Sequence, residues 1–590
     1  MKRLLLILAA TILLAIAVAA QTTTPSEGAA MSSRPEPSEE ETDRLVQQWE
    51  AREKALRQAL KLSEPGKRIL ALRKLLTDYP KDSEVPRLVE EGILDTYIKY
   101  RPQQTKEILA QIDKLLKNIP DDFKTGSGSN PYNQIAVKLL EAGILLDKAE
   151  VLAAKGLAAF DGRKFVQAQK TKAEMHAKWI ALNKNVAAVL NTDSFSEADA
   201  LKMVPAERAK ALTALGRVYL KQGKTNDAAR ILKEAHAANP NIVEANIALA
   251  EISFNAGDNV ATVDYLSSVA VRTQLRPELR RQLEIAYRLS NHGTLSGLEE
   301  MLDTKYRLLM PNPITVEIYK PTPSRSDRVV LAEVFTGAGC VPCVGADLAF
   351  EAAMERYSNK NIVLLMYHLH RPLPDPMVNP AALLRARFYG VEMTPSFAID
   401  GEMDRRGGAI REKARLIYDR IEPVIDKRLE TLRDAEIKLE AELEGTVVKV
   451  RATVDNLRTN SDNIKLRVAL VENELRYSGE NLVRIHPMVV RSLSGALALK
   501  SSSTTTVEYL FNLEKVSAEM KAYLDDYEIN GDYGPITFKE KKYQIDRKNL
   551  SVVAFVQDEK DKKVLQASLV QIQHRSVSAS PARSLKGQGR

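Results

Sequence analysis

From Thr42 to about Arg307 apolar residues recur every three to four positions, the spacing of amphipathic helices, and alternation at period two is almost absent. Lys67-Arg-Ile-Leu-Ala-Leu-Arg-Lys-Leu-Leu-Thr-Asp78 and Gln134-Ile-Ala-Val-Lys-Leu-Leu-Glu-Ala-Gly-Ile-Leu-Leu146 each lay an apolar stripe along one helix side. Breaks fall at Pro80, Ile119-Pro-Asp-Asp122, Gly126-Ser-Gly-Ser-Asn-Pro131 and Asn191 to Ser196. The pattern predicts helical hairpins joined by short polar loops over residues 42–310, as in a solenoid.

Pro311-Asn-Pro313 and Pro321-Thr-Pro-Ser-Arg-Ser326 end this regime. Strands and helices then alternate over 316–432, which predicts an α/β layer with parallel strands. Val329-Val-Leu-Ala-Glu-Val334 reads as a buried strand, Val344 to Tyr357 as an amphipathic helix, and Asn361 to His370 as a second central strand. After the loop Arg371-Pro-Leu-Pro-Asp-Pro376, a helix carries its own punctuation: Asn379 as N-cap, Pro380 at the first position and Gly390 past the end. Ala409 to Leu432 supplies the last helix. From Ala435 the period becomes two, in Glu436–Leu443, Thr446–Val454, Lys465–Glu472, Thr504–Phe511, Leu550–Gln557 and Lys563–Ala567. Such strands predict an all-β sandwich over 435–574. The expected fold class is multidomain: an α-helical repeat region, an α/β domain and a β-sandwich.

Length and composition add compartment and partners. A chain of 590 residues is too long for one core and implies three or four domains. With 44% hydrophobic and 27% charged residues it is ordinary globular protein, and a net charge of +8 is thin over this length. The clearest basic cluster is the Ser/Lys/Arg tail at 575–590, read as disordered; no basic stripe interleaved with aromatics argues for nucleic acid. Met1-Lys2-Arg3 and the uncharged run Leu4 to Ala20 have the form of a signal peptide at 1–20, with small residues before Gln21 for cleavage. The competing reading is an uncleaved anchor, the only route to membrane association, although the run is slightly short of the roughly 20 residues that span a bilayer. Residues 21–41, rich in Thr, Ser, Pro and Glu, read as a disordered linker. The expected location is periplasmic or secreted, where disulfides persist.

That compartment matters for Phe335-Thr-Gly-Ala-Gly-Cys340-Val-Pro342-Cys343, which holds both cysteines of the chain. Strand, tight loop, Cys-x-x-Cys, helix is the context in which this spacing signals dithiol/disulfide chemistry. Cys340 is expected at the helix N-cap with Pro342 in the first turn, where the positive helix end favours a thiolate. A structural zinc site wants four ligands and no second cysteine pair exists, while a static disulfide over so short a loop adds little stability. No metal or other cofactor is called for. His368 and His370 share a strand face by period two, near the motif loop. Protonated, they would depress the thiolate pKa; neutral, they could serve copper handling with the cysteines; the alternative is that they hydrogen-bond the proline-rich loop.

Two resemblances sharpen these readings. Leu215-Gly216, Tyr219, Gly223, Ala228, Leu232, Ala235 and Pro240 resemble a tetratricopeptide repeat of 34 residues. A second copy with Leu249-Ala250, Gly257 and Leu266 follows, the likeness being best over 209–276. It implies a protein-binding surface, with a plain helical spacer as the alternative. Cys340-Val-Pro342-Cys343, together with Gly390-Val391 and Thr394-Pro395-Ser396-Phe397, resembles the thioredoxin-like superfamily over 316–432. The resemblance implies that Cys340 is the exposed nucleophile and Cys343 resolves, that Pro395 is a cis-proline facing the disulfide, and that Thr394 and Pro342 meet the substrate. Gly339 departs from the family's usual aromatic residue, and Val334 from its buried acid; Glu333, one position earlier, would need a bulge to act instead. Val468-Ala-Leu-Val-Glu-Asn473, His486-Pro-Met-Val-Val-Arg491 and Val553-Ala-Phe-Val-Gln-Asp558 are similar to the β domain of some bacterial envelope thioredoxin-like proteins, which implies an accessory module. His486 is expected in a loop and Arg491 in solvent. Together these imply an extracytoplasmic thiol–disulfide oxidoreductase acting on protein thiols and disulfides, its repeats recruiting protein partners. The alternatives are a non-catalytic scaffold and a copper-handling protein.

Overall fold

A computed structural model describes residues 39–82, 84–182, 195–459, 461–500 and 504–574. The expected signal segment, most of the expected linker and the basic tail lie outside the described residues. One boundary moves: the helix Glu39–Lys61 begins inside the segment read as linker, where three glutamates replace the Thr, Ser and Pro that precede them. Among the described residues no helix is long and apolar enough to cross a membrane.

The chain divides into two compact units, Met1–Leu266 and Ser267–Arg590. The described residues of the first are helical, and their hairpins follow the sequence punctuation. Asn130 caps the helix Pro131–Ala142 by accepting the Asn133 N–H at 3.2 Å, and Gly143, with φ of 68°, closes it. The helices Glu197–Lys221 and Thr225–Ala238 pack through small residues. Ala228, Leu232 and Ala235 are buried, and a Cβ on Gly216 would come within 2.6 Å of Leu232 Cγ. Gly216→Val is therefore expected to overpack this seam and lower stability by about 1–3 kcal/mol, read from the urea unfolding midpoint.

The second unit opens with the helices Pro277–Ser290 and Leu298–Leu309. Their apolar period alone predicts that they belong with the repeats. Ion pairs decide otherwise: Arg484 bonds Glu299 at 2.7 Å and Asp303 at 3.0 Å, Arg476 bonds Asp303 at 2.7 Å, and Arg280 of the first helix bonds Glu299 of the second at 2.7 Å. Periodicity reports which helix face is buried, not what buries it.

At the centre of this unit β1 (Val330–Thr336) and β2 (Ile362–His368) run parallel, with Thr336 opposite His368. On one side β1 pairs antiparallel with β3 (Ser396–Ile399), which pairs with β4 (Glu402–Asp404). On the other, β2 meets β8 (Ile485–Leu493), and the sheet continues through β7 (Ile464–Arg476), which also pairs with the short β9 (Leu497–Ala498), then β11 (Leu550–Asp558) and β12 (Val564–Gln571). A smaller sheet joins β10 (Thr505–Asn512), β6 (Val447–Asp455), β5 (Glu436–Glu444) and β13 (Gln573–His574). This corrects the expectation of a separate all-β sandwich. Its larger sheet is the continuation of the α/β sheet.

The reason lies in β7 and β11, which are buried on both faces. Leu466, Val468, Leu470, Val552 and Ala554 pack against Val448 and Val450 of β6. Their neighbours Ala469, Val471, Val553 and Phe555 join the core under β1 and β2. Alternate residues thus serve two cores. The helix Leu513–Asn530, between β10 and β11, was not anticipated.

Candidate functional site at the cysteine pair

The loop after β1 turns twice before helix begins. Cys340 N–H donates to the Gly337 carbonyl at 3.0 Å and Cys343 N–H to the Cys340 carbonyl at 3.1 Å. The helix is Cys343–Arg356, with Pro342 at the N-cap. Cys343, not Cys340, therefore stands in the first helical turn, because the second tight turn delays the onset of helical bonding. The two cysteines form a disulfide with Cα atoms 5.2 Å apart. Both are 0% exposed, whereas Val341 between them is 53% exposed. Cys340 is thus not the exposed sulfur expected from the sequence. Loops from elsewhere in the unit cover it.

Three further predicted residues converge here. The Thr394–Pro395 peptide is cis, and the Thr394 hydroxyl lies 3.5 Å from Cys340 Sγ and 3.0 Å from the Arg371 carbonyl. Pro342 and Pro395 both press on Gly408, where a Cβ would come within 1.8 Å of the Pro342 carbonyl oxygen and 2.5 Å of Pro395 Cγ. Ala409 N–H donates to that same carbonyl at 2.8 Å. Gly339 also has a local cause: a Cβ there would meet the Leu373 side chain at 2.8 Å. Leu373 takes up the space beside the motif.

Both histidines bond the proline-rich loop. His368 Nδ1 lies 2.8 Å from Asp375 Oδ2, and the Asp375 N–H donates to His370 Nδ1 at 3.0 Å. Accepting that bond leaves the His370 proton on Nε2, 3.1 Å from the Tyr523 hydroxyl. Burial lowers the His370 pKa to about 4, so the ring is neutral near pH 7. It also lies just beyond the end of β2 rather than within it. Asp375 is fully buried and accepts the N–H groups of Ala338 and Met377, at 2.7 and 2.8 Å. Burial pushes its pKa up, but His368 and these donors outweigh that and hold it below the ordinary value. Among the described residues no three His, Cys, Asp or Glu side chains are grouped to hold a metal.

Glu333 is occupied elsewhere. Its carboxylate receives Arg385 Nε at 2.6 Å and Nη2 at 2.8 Å, with the hydroxyls of Tyr389 at 2.6 Å and Tyr367 at 3.1 Å. His486 and Arg491 are also corrected: both lie in β8 and are buried, with Arg491 Nε 2.9 Å from Glu472. Burial first, then neighbouring His368, lowers the His486 pKa to about 3.

Sequence reasoning missed Asp347. It follows Cys343 by one helical turn, on the same side of a helix buried almost all round rather than amphipathic. The Thr336 hydroxyl donates to its Oδ2 at 3.0 Å, while Oδ1 has no partner among the described residues. Burial raises its pKa to about 7, against the opposing Thr336 bond and His368. A small cavity lined by Asp347, Glu351, Met366 and His486 adjoins it. The available signal was a lone acid in the apolar run Cys343-Val-Gly-Ala-Asp347-Leu-Ala-Phe350.

No curated protein matches the chain. Among solved structures it is similar to HBP35 of Porphyromonas gingivalis, at 16% identity and a TM-score of 0.31, over 44% of this chain and 81% of that one. That likeness is too slight to bear on the fold. Residues 209–252, within the helical unit, match the tetratricopeptide repeat family.

Proposed function

We propose that the chain is a thiol–disulfide oxidoreductase of thioredoxin-like type, active outside the cytoplasm, whose tetratricopeptide region engages protein partners. The observation that carries the chemistry is the meeting of two distant motifs, Thr394 of the cis Thr394–Pro395 pair lying 3.5 Å from Cys340 Sγ. Repeats of the matched family generally serve protein–protein contact, which supports the second half of the reading. The compartment rests on the residue pattern of Met1 to Ala20.

From the dithiol, the Cys340 thiolate attacks a substrate disulfide. A Cys340–substrate bond forms and the substrate's other sulfur leaves as a thiolate. Cys343, deprotonated, then attacks Cys340 Sγ, closing the Cys340–Cys343 bond and releasing the second substrate thiol. Two electrons pass to the substrate, whose two sulfurs take up the two protons. Asp347, one turn beyond Cys343 and with one oxygen unpartnered among the described residues, is the buried base that would receive the Cys343 proton. The pair's reduction potential against its surroundings sets the direction.

A second reading, a binding platform with a fixed disulfide, is favoured by the complete burial of both sulfurs. Equilibration with glutathione buffers and a disulfide-exchange assay on a protein substrate separate the two. The expected result is a pair reduced within the physiological glutathione range and exchange that falls to background in Cys340→Ser. A pair that glutathione leaves oxidised, or unchanged exchange in the variant, selects the fixed disulfide.

A further inference from the structure

The loop Arg371–Pro376 lies directly on the motif turn. A Cβ at Gly337 would come within 2.5 Å of the Arg371 carbonyl oxygen, Leu373 sits against Gly339, and Asp375 holds the Ala338 N–H. On its outer side this loop is held in turn by residues 531–542, which follow the helix Leu513–Asn530. The Tyr533 hydroxyl donates to the Pro372 carbonyl, and the Lys542 N–H donates to the Pro376 carbonyl at 3.1 Å. At the root of the loop, His370 is stacked on Tyr527 with ring centroids 3.5 Å apart, beside Tyr523 at 5.9 Å and Phe538 at 6.3 Å.

Residues 531–542 are themselves fixed to the end of their helix. Glu528 accepts the Phe538 N–H at 2.8 Å and pairs with Lys541 at 2.9 Å, and its carbonyl accepts the Ile536 N–H at 2.9 Å. The segment therefore forms a closed structure that grips the proline-rich loop by one hydroxyl and one N–H, while Tyr527 of the adjoining helix stacks on His370 at the loop's root. Leu373 and Tyr533 remain 42% and 47% exposed, so the grip sits at the surface, where a docking protein can reach it.

We infer that residues 531–542 are a strap holding the Arg371–Pro376 loop closed over the Cys340–Cys343 disulfide, and that release of the strap controls access to the sulfurs. Its bearing on catalysis rests on the oxidoreductase reading; the closure itself does not. When the strap lets go of Pro372 and Pro376, and Tyr527 of His370, Leu373 can lift from Gly339 and a reactant can approach Cys340 Sγ. The disulfide's own bonding is unchanged by this motion. The rate of attack should respond to the strap while the equilibrium between disulfide and dithiol should not.

The test uses the full chain with Tyr533→Phe, which removes only the hydroxyl, and Tyr527→Ala, which removes the stack. Reduction by a small water-soluble phosphine is followed by alkylation and mass measurement, and the reduction potential is measured against glutathione. Tyr533→Phe is expected to be reduced about fivefold faster than wild type, as for one net hydrogen bond lost from the closed state. Tyr527→Ala should be faster by at least as much, with both potentials unchanged. Where Tyr527→Ala lowers the melting temperature, Tyr533→Phe alone decides. Wild-type reduction rates, or an acceleration matched by an equal shift in the equilibrium constant, would overturn the strap. Faster reduction in variants of a protein that shows no disulfide exchange keeps the strap and removes the oxidoreductase. Exchange in wild type with unaltered rates in both variants does the reverse.

Discussion

Glu333→Ala is expected to destabilise the second unit by about 3–5 kcal/mol, the usual cost of removing one member of a buried ion pair. Glu333 is fully buried and Arg385 nearly so, and the two share two hydrogen bonds. Without the carboxylate, the guanidinium stays among the rings of Phe388, Tyr389 and Phe555, with Gln557 Oε1 as its remaining strong acceptor at 2.8 Å. The hydroxyls of Tyr389 and Tyr367 lose their acceptor as well. The penalty comes from an unpaired buried charge rather than from the net worth of the pair. Glu333→Leu combined with Arg385→Met is therefore expected to recover most of it. Urea unfolding at constant slope measures both, and a loss under about 1 kcal/mol for Glu333→Ala would show that water reaches Arg385.

The next largest effect is expected from Asp347→Asn, and it depends on pH. In the folded protein the Asp347 carboxyl has its pKa raised by burial to about 7, while in the unfolded chain it returns to about 3.9. Between these values the folded state binds more protons than the unfolded state, so stability falls as pH rises from about 4 to about 7 and is level above that. The full loss is about 4 kcal/mol as an upper bound. Asp347→Asn has no proton to lose. It should match wild type near pH 4 and be the more stable protein at pH 8.

The groups facing Asp347 are Thr336 from β1, His368 from β2, Asp375 from the proline-rich loop, Glu351 from its own helix and His486 across the cavity. All are present in both proteins, so the difference between their stability curves isolates Asp347. A difference that stays constant from pH 4 to 8 would mean the group is not buried as described. Under the proposed chemistry the same variant should also lose any inflection near pH 7 in the rate of disulfide exchange.

Several features were legible because their causes are local. Asn379, Pro380 and Gly390 mark the ends of the helix Pro380–Tyr389, since capping involves only the first and last turns. Gly216 announces the close seam of the repeat because only a missing side chain admits Leu232. The helix Leu513–Asn530 also has local marks: Asn512 accepts the Lys515 N–H at 3.0 Å, and Val516, Met520, Leu524 and Tyr527 follow at helical spacing. Its importance was not legible, because the ring of Tyr527 finds His370 across a long stretch of chain.

By itself the amino-acid order determined the helical repeats, the strand before the cysteines, the Cys-x-x-Cys pair and the segment Thr394-Pro395 that would face it. All of these follow from residue types at short spacing. Only the tertiary structure decided that β7 and β11 extend the central sheet, that Cys340 is covered, that Glu333 belongs to Arg385, and that Asp347 is buried one helical turn beyond Cys343. Burial, and with it the energy of a charge or the reach of a thiol, depends on what distant parts of the chain lay over a residue. Neighbours in sequence carry no record of that.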